Sequence, residues 1–258
     1  MPKPRSKPQL DKRSGDGAIE VRRERGCVTA ILTHPGKRNR LSAAMARSLV
    51  ELAEQAEDDD SALMLAITGA GAGFCAGFDA DVDPRVVESL AILSKPTLAI
   101  VNGDALDEGL ELAMALDIRV AGARARMGLT QLPRGAMPRF GGTQRLPRLV
   151  GGGQALRMLL TGATVDGNEA MRLGLAGYVA RTSRELPALV ASVTQAILSR
   201  GPLAARMAKE AVLKGYDMTL EQGIRLEEDL YALLQTTADR AEGVKAFLEK
   251  RKPLFKGA

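Results

Sequence analysis

The acidic residues of this chain are unevenly distributed, and one short segment holds a concentration of them. Asp104, Asp107, Glu108, Glu111 and Asp117 lie close together in sequence. Glu111 occurs in GLELAMAL, where the surrounding residues predict an apolar helix. A carboxylate near a helix start in an apolar pocket is suited to act as a general base. An acid on such a helix also commonly faces solvent, so the residues alone leave both interpretations open.

The segment that follows has the opposite character. From Ile118 to Val165 there is no acid, while eight arginines occur. Such arginines serve surface and subunit contacts, or they form a positive region that attracts phosphates. The centre of this segment, GLTQLPRGAMPRFGGTQR, contains Gln131, whose amide forms hydrogen bonds but does not ionise near neutral pH.

Other catalytic chemistries find little support in the residues. His34 is the only histidine, and a single histidine in a loop is commonly incidental. No pair of His or Cys residues has metal-ligand spacing, so we expect no metal site. The sequence has no phosphate-binding GxxxxGK[ST] motif and no dinucleotide fingerprint after a first strand. The glycine-rich GAGAGFCAGFD follows a predicted strand and forms either a tight turn or a set of main-chain N–H groups directed at an oxyanion.

The elements that position these residues alternate between strands and helices. Period-2 and apolar patterns predict strands over 18–25, 27–33, 62–68, 97–102 and 118–122. Helices are predicted from Ser42, as N-cap, to about Glu57, and over roughly 108–116. Further helices are predicted over 152–160, 167–174, 185–199, 202–215, 218–236 and 238–249. This order is typical of an α/β fold with parallel units and an all-helical C-terminal third. No fixed-length repeat is evident.

Composition restricts the function classes. Aromatic residues make up 3% of the chain and tryptophan is absent, which argues against stacking platforms for single-stranded nucleic acid. The net charge of +5 comes largely from residues 1 to 14. Residues 1–16 are predicted to be a flexible basic tail, not a secretory signal. No apolar run is long enough for a membrane span. Two cysteines, Cys27 and Cys75, indicate a reducing compartment, and we expect a cytoplasmic location.

Several motifs in order resemble the crotonase (enoyl-CoA hydratase/isomerase) superfamily. They are ITGAGAGFCAGFDA, KPTLAIVNGDALDEGLELAMALDIRVA, PRFGGTQRLPRLVG, LLTG and DRAEGVKAFLEKRKPLFKG. The resemblance implies a spiral of ββα units over 17–195 and a helical C-terminal region over 196–258 that assembles trimers or dimers of trimers. It also implies acyl-CoA thioesters as substrates, a role in fatty acid metabolism, and no cofactor, since coenzyme A is part of the substrate.

The resemblance also implies a set of site residues. The main-chain N–H groups of Phe78 and Glu108 correspond to the oxyanion hole of the family, which binds the thioester oxygen. Each such donor stabilises an enolate by about 3 kcal/mol. Glu111 corresponds to the first catalytic glutamate, and Gln131 stands where the second one is expected.

Substrate-binding positions map to four further residues: Arg40, Ala76, Asp79 and Ala80. The chain departs from the family pattern at several of these places. Asp107-Glu108 replaces a Gly-Gly pair, Phe78 replaces a small residue, and Arg40 replaces the alanine of an N-A-L motif. Asp81 stands where a lysine is common. These changes crowd and acidify the mouth of the predicted pocket and favour an unusual acyl group.

Three functions remain open at this stage. The first is an acyl-CoA enzyme with Glu111 as its single acid/base, unless Glu108 or Asp104 replaces the second acid. The reaction would be hydration, isomerisation, hydrolysis or decarboxylation through one enolate. The second is a degenerate subunit that binds acyl-CoA without turnover. The third, less favoured, is a relative that binds RNA through the basic tail and the arginine-rich middle of the chain.

Overall fold

The computed structural model describes residues 15–258 and shows a mixed α/β fold. The predicted basic tail lies almost wholly outside the described residues. The strands are β1 (Ala18–Glu24), β2 (Cys27–Thr33), β3 (Met64–Gly69), β4 (Thr97–Val101), β5 (Ala105–Leu106), β6 (Ile118–Gly122), β7 (Met127–Gly128) and β8 (Tyr178–Ala180). The first six helices are α1 (Ala43–Asp58), α2 (Arg85–Ala91), α3 (Glu108–Ala115), α4 (Gly142–Val150), α5 (Gly152–Thr161) and α6 (Gly167–Leu173). The last four are α7 (Leu186–Leu198), α8 (Pro202–Gly215), α9 (Leu220–Gln235) and α10 (Ala238–Leu248).

Six strands form the main sheet, in the order β1-β2-β3-β4-β6-β8. Strands β1 and β2 are an antiparallel hairpin around Gly26, and every later pairing in this sheet is parallel. Parallel strands need long crossover connections, which here contain the helices. The apolar runs of β3 and β4 are buried because helices and loops cover both faces of the sheet.

A second, shorter ladder lies beside the main sheet and completes the ββα units. After each of β2, β3, β4 and β6 the chain makes another extended contact before its next helix. Leu41 bridges Phe78, Cys75 bridges Ala105, and β5 pairs with β7, all in parallel. The helices α1, α2, α3 and α4 follow these second segments in turn. The spiral of ββα units that the resemblance implied is therefore present.

The first helix begins as the sequence predicted. Ser42 is its N-cap, and the Ser42 hydroxyl accepts a hydrogen bond from the Met45 main-chain N–H at 3.2 Å. The apolar face predicted for this helix is buried against the main core cluster. Five elements were not predicted: α2, α4, β5, β7 and β8. The strand predicted over 18–25 is β1.

The C-terminal helices pack differently from the core helices. No residue of α8 or α9 is fully buried, and these two helices mainly contact each other. By contrast, all of α3 from Gly109 to Ala115 is buried. The predicted boundary at residue 195 falls inside α7 and stays a prediction.

Candidate active site

Glu111 is fully buried on the first turns of α3. Its Oε1 atom accepts hydrogen bonds from the main-chain N–H groups of Phe140 and Gly142, both at 2.8 Å. Its Oε2 atom is buried and has no hydrogen-bond partner among residues 15–258. The alternative that this acid faces solvent is wrong, because α3 is packed on all sides.

The environment of Glu111 favours the protonated carboxyl group. Burial raises its pKa above the ordinary value of 4.5, the two N–H donors oppose this rise, and the negative charge of Glu108 adds to it. One oxygen is held in place while the other remains available, so the geometry suits a group that exchanges a proton with a bound molecule.

The two N–H groups that bind Glu111 belong to the acid-free segment, Ile118 to Val165. Phe140 and Gly142 flank Gly141, which has a φ of 95° and precedes α4. The Arg145 guanidinium on α4 donates from Nη1 to the Phe140 carbonyl at 2.7 Å. The sequence did not predict these Glu111 donors. The adjacent glycines in FGG were the only local signal.

The Phe78 main-chain N–H is directed away from its own β-bridge. The β-bridge between Leu41 and Phe78 is formed by the residues on either side of Phe78. The Leu41 N–H donates to the Gly77 carbonyl, and the Asp79 N–H donates to the Leu41 carbonyl. The Phe78 N–H instead donates to Glu108 Oε2 at 3.2 Å. The Phe78 ring packs edge-on against the Phe140 ring, with centroids 4.9 Å apart.

The Glu108 main-chain N–H lies at the first position of α3. Amides in the first helical turn have no acceptor within the helix, and the helix dipole places partial positive charge there. Gly109 allows this end of α3 to approach the loop before Phe78, because a β-carbon at residue 109 would collide with the Cys75 carbonyl. The two N–H groups predicted for the oxyanion hole are thus brought together, linked by the Glu108 side chain.

Gln131 is also buried, with 2% of its surface exposed. Both polar atoms of its side chain lack a hydrogen-bond partner among the described residues, so it does not bond to Glu111 directly. The neighbouring Thr130 is fixed beside α3, since its N–H and hydroxyl donate to Asp107 Oδ1 at 2.6 and 2.9 Å. Three unpartnered polar atoms, Glu111 Oε2 and both of Gln131, remain in the interior near the start of α3.

The predicted substrate-binding residues, Arg40, Ala76, Asp79 and Ala80, form one cluster around the loop that contains Phe78. Arg40 binds Asp79 through Nε at 3.2 Å and donates to the carbonyls of Ala76, at 3.4 Å, and Phe78. Ala80 accepts a hydrogen bond from Arg139 at 3.1 Å. Arg40 therefore packs against carbonyl groups of the loop that carries Phe78, and whether this cluster binds substrate stays a prediction.

The other candidate groups serve different purposes. Asp104 pairs with Arg126 at 2.5 Å, which holds the pKa of Asp104 below its usual range, and it lines a cleft with Gly71, Gly73 and the predicted substrate-binding residue Ala76. Burial raises the pKa of the Cys75 thiol to about 12, so this thiol is a poor nucleophile.

The remaining predictions concern a histidine, metals and membranes. His34 binds the Arg40 carbonyl through Nδ1 at 2.9 Å and shapes the loop. Within residues 15–258 no group of three or more His, Cys, Asp or Glu side chains is placed to hold a metal ion. Over the same range, every helix is too short or too polar to cross a bilayer.

Comparison with known proteins identifies the family. A sequence model described as enoyl-CoA hydratase/isomerase matches residues 22–258. This chain belongs to the enoyl-CoA hydratase/isomerase family. The family match covers every site residue discussed above, and the crotonase superfamily assignment made from the motifs is confirmed.

The alignments with individual relatives cover nearly the whole chain. A 2,3-dehydroadipyl-CoA hydratase from Escherichia coli (strain K12) is 36% identical, covering 92% of this chain and 98% of its own length. A crotonyl-CoA hydratase from Syntrophomonas wolfei is 34% identical, with 92% and 97% covered. The crystal structure of enoyl-CoA hydratase from Bacillus anthracis superposes with a TM-score of 0.90 at 34% identity, covering 93% and 99% of the two chains. The enoyl-CoA hydratase/isomerase fold is therefore confirmed, and an acyl-CoA enzyme of this kind is supported.

Proposed function

We propose that this protein processes acyl-CoA thioesters through an enolate, with Glu111 as the acid/base residue. The observation that carries the proposal is the state of Glu111, whose Oε1 is fixed by two N–H donors while Oε2 is buried and unpartnered. The main-chain N–H groups of Phe78 and Glu108 would bind the thioester oxygen. Donors of this kind stabilise the negative charge that develops on that oxygen when a proton leaves the α-carbon.

The replacement of the second glutamate by Gln131 selects among the family's reactions. Hydration needs one group to activate water and another to supply a proton to the α-carbon. Isomerisation of a 3-enoyl thioester to the 2-enoyl thioester needs only one. Glu111 would remove the α-proton, the electron pair would move into the enolate, and the same carboxyl group would return the proton to the γ-carbon. We therefore propose that isomerisation is faster than hydration.

The decisive experiment compares wild type, Glu111→Gln and Gln131→Glu on matched 3-enoyl and 2-enoyl thioesters. We expect Glu111→Gln to lower turnover by about 10² to 10⁴-fold, as is typical for loss of an acid/base group. Gln131→Glu should raise hydration relative to isomerisation, because it adds the missing carboxyl group. Full activity in Glu111→Gln would reject the proposal. Glu88→Gln, on the exposed surface of α2, provides a control with the same change of charge.

One contact favours a second candidate function, a subunit that binds acyl-CoA without turnover. The Glu108 carboxylate accepts the Phe78 N–H, which is the donor assigned to the thioester. A degenerate subunit that binds acyl-CoA without turnover would have a similarly obstructed site. Calorimetric binding of acyl-CoA together with no turnover on a broad thioester panel would favour this alternative. The RNA-binding alternative depends on the N-terminal tail and on the arginine-rich middle of the chain, where Arg119, Arg126 and Arg145 form intramolecular hydrogen bonds.

The proposal includes assembly and location. We propose a homotrimer or dimer of trimers, supported by the apolar side chains that α8 and α9 expose. We place the protein in the cytoplasm because Cys27 and Cys75 are both buried free thiols, as is usual in a reducing compartment. Absence of metals and cofactors from the reaction stays a prediction, tested by full activity after treatment with a chelator.

A further inference from the structure

The side chain of Glu108 occupies one of the two donors that the proposed function assigns to the substrate. Its Oε2 atom lies 3.2 Å from the Phe78 main-chain nitrogen. The N–H group of Glu108 itself is the other donor. One residue therefore contributes a main-chain donor to the oxyanion hole and a carboxylate that competes for the hole.

We propose that Glu108 is a specificity-determining residue, whose carboxylate must be displaced from the Phe78 N–H before a thioester oxygen can bind. The inference rests on the proposed function. A carboxylate is a stronger acceptor than a neutral carbonyl oxygen, so the internal contact competes effectively. A thioester whose acyl group binds weakly to the rest of the pocket would fail to displace the Glu108 carboxylate. The enzyme is therefore restricted to thioesters whose acyl groups bind tightly to the rest of the pocket.

Arg40 is placed to receive the displaced carboxylate. A β-carbon at Gly77 would lie 2.8 Å from Arg40 Nη1 and 2.8 Å from Glu108 Oε2, so both groups border this one glycine. The structure has no ion pair between Arg40 and Glu108, among the residues it describes, because Arg40 binds Asp79 and the Ala76 and Phe78 carbonyls. A rotation of the Glu108 side chain toward the guanidinium would expose the Phe78 N–H and leave the charge compensated.

The glycine at residue 77 is required for this arrangement. Gly77 has a φ of 122°, a conformation that other residues rarely adopt. Any side chain there would also separate Arg40 from Glu108. The same absence of a side chain that shapes the Phe78 loop therefore leaves a route for the carboxylate.

Displacement also matters once the reaction begins. When the α-proton leaves, negative charge builds up on the thioester oxygen. A carboxylate next to that oxygen would oppose this charge, since like charges in a poorly solvated site repel strongly. Moving the Glu108 carboxylate to Arg40 reduces this repulsion, because the carboxylate leaves the Phe78 N–H and its charge is compensated by the guanidinium.

The test measures the affinity of butyryl-CoA and of free CoA by calorimetry. Butyryl-CoA has the thioester oxygen but no double bond to hydrate or isomerise, and free CoA has no thioester oxygen. The ratio of the two dissociation constants contains the contributions of the oxyanion hole and of the butyryl chain, and its change between variants reports the hole because the chain is the same in each. We expect Glu108→Gln, and more strongly Glu108→Gly, to tighten butyryl-CoA binding relative to free CoA by about ten-fold, the usual difference between a charge-assisted and a neutral hydrogen bond.

Two further variants sharpen the test. Arg40→Gln should weaken butyryl-CoA relative to free CoA in the wild-type background, and should leave the ratio unchanged in the Glu108→Gly background. Glu88→Gln changes the net charge equally and should leave the ratio as in wild type. Thermal melts of each variant verify that the fold is retained.

The outcomes separate the inference from the proposed function. If wild type prefers butyryl-CoA to free CoA and turns over enoyl thioesters, but the Glu108 variants keep the wild-type ratio, the specificity role of Glu108 is rejected and the function stands. If no variant prefers butyryl-CoA to free CoA, the oxyanion hole itself is rejected, and the inference fails with it.

Discussion

At the scale of residues, the two carboxyl oxygens of Glu111 differ in a way that is not expected of an acid with a purely structural role. It is anchored by two N–H donors, and yet its second oxygen is buried without a partner among the described residues. A buried carboxylate with an unpartnered oxygen destabilises the folded protein when it is ionised. Such a cost is typical of functional residues, where the required chemistry and maximum stability differ.

This cost predicts how stability depends on pH. The folded pKa of Glu111 lies above its ordinary value of 4.5, mainly through burial. Between those two pKa values the folded state retains a proton that the unfolded state has released. The free energy of unfolding therefore falls as pH rises through this window. Glu111→Gln removes the titration, so we expect the variant to gain stability relative to wild type as pH rises from 4 to 8.

Urea unfolding of both proteins across this pH range measures the effect. The difference between the two unfolding free energies is the relevant quantity, because other titrating groups contribute equally to both proteins. A difference that stays constant with pH, or that favours wild type more at pH 8, would contradict the prediction. The variant's activity should be low at every pH.

At the scale of elements, the turn that starts α3 is the part of the site with the most unusual backbone. Asp107 has φ 52° and ψ −122°, the conformation of the first central residue of a type II′ turn, which favours glycine. Its side chain is held by three hydrogen bonds, two from Thr130 and one from Arg134 at 2.6 Å. The side-chain contacts offset the backbone strain and fix the segment that leads to Gln131.

A pair of variants at Asp107 separates these two effects. Asp107→Ala keeps the strain and loses the hydrogen bonds, so we expect it to lower the unfolding free energy by about 1–3 kcal/mol. Asp107→Gly loses the same hydrogen bonds but relieves the strain, and it should be more stable than the alanine variant by about 1 kcal/mol. Chemical denaturation of the three proteins gives both values. Equal stability of the two variants would show that the backbone is unstrained.

The sequence predicted the elements that long apolar patterns encode and missed those that depend on neighbours. The Ser42 cap and the runs in β3 and β4 are local signals, so α1 and both strands were found. Helix α4 was missed because its N-cap, Gly141, and its first residue, Gly142, are both glycines and because it contains Pro147. The strands β5, β7 and β8 have only two or three residues each, too few for a periodic pattern.

The candidate site shows the same division. The resemblance named Phe78, Glu108 and Glu111 by position, and position was enough to place them together. It did not predict that the Glu108 carboxylate accepts the Phe78 N–H, because the side-chain conformation depends on the space that Gly77 leaves beside the carboxylate and on the close approach of Gly109 to the Cys75 carbonyl. The Phe140 and Gly142 donors were missed for a similar reason, since they arise from the path of a loop rather than from residue type.

At the scale of the whole molecule, the exposed apolar side chains are concentrated in the C-terminal helices. On α9, Leu220, Ile224 and Tyr231 lie on one face, and they are 81, 49 and 62% exposed. On α8, Val212 and Leu213 are also exposed. Clusters of this kind on a folded chain commonly mark a subunit interface.

We therefore expect wild type to be trimeric or hexameric and Leu220→Glu with Tyr231→Glu to dissociate it. Each apolar side chain contributes about 1.5–3 kcal/mol on burial, so the double variant should weaken association at least about 100-fold. Light scattering after size exclusion measures the mass. Met137→Glu, on an exposed loop outside the C-terminal helices, is the matched control. A monomeric wild type would refute the assembly, whereas an unchanged mass of the double variant would show that this face of α9 is free.

The two N–H groups proposed for the oxyanion hole come from different ββα units, and this has a consequence for where the chain can vary in length. Phe78 belongs to the unit that starts at β3 and Glu108 to the one that starts at β4, and the two meet through the short ladder and the close contact at Gly109. The chain between them, which includes α2, does not enter that contact. Insertions in the exposed turn at residues 83–85 can therefore reshape the neighbouring surface while Val86, Val87 and Leu90 of α2 stay in the core and the two N–H groups keep their separation. The two N–H groups proposed to stabilise charge and the exposed turn that can vary in length are therefore encoded in different stretches of the chain.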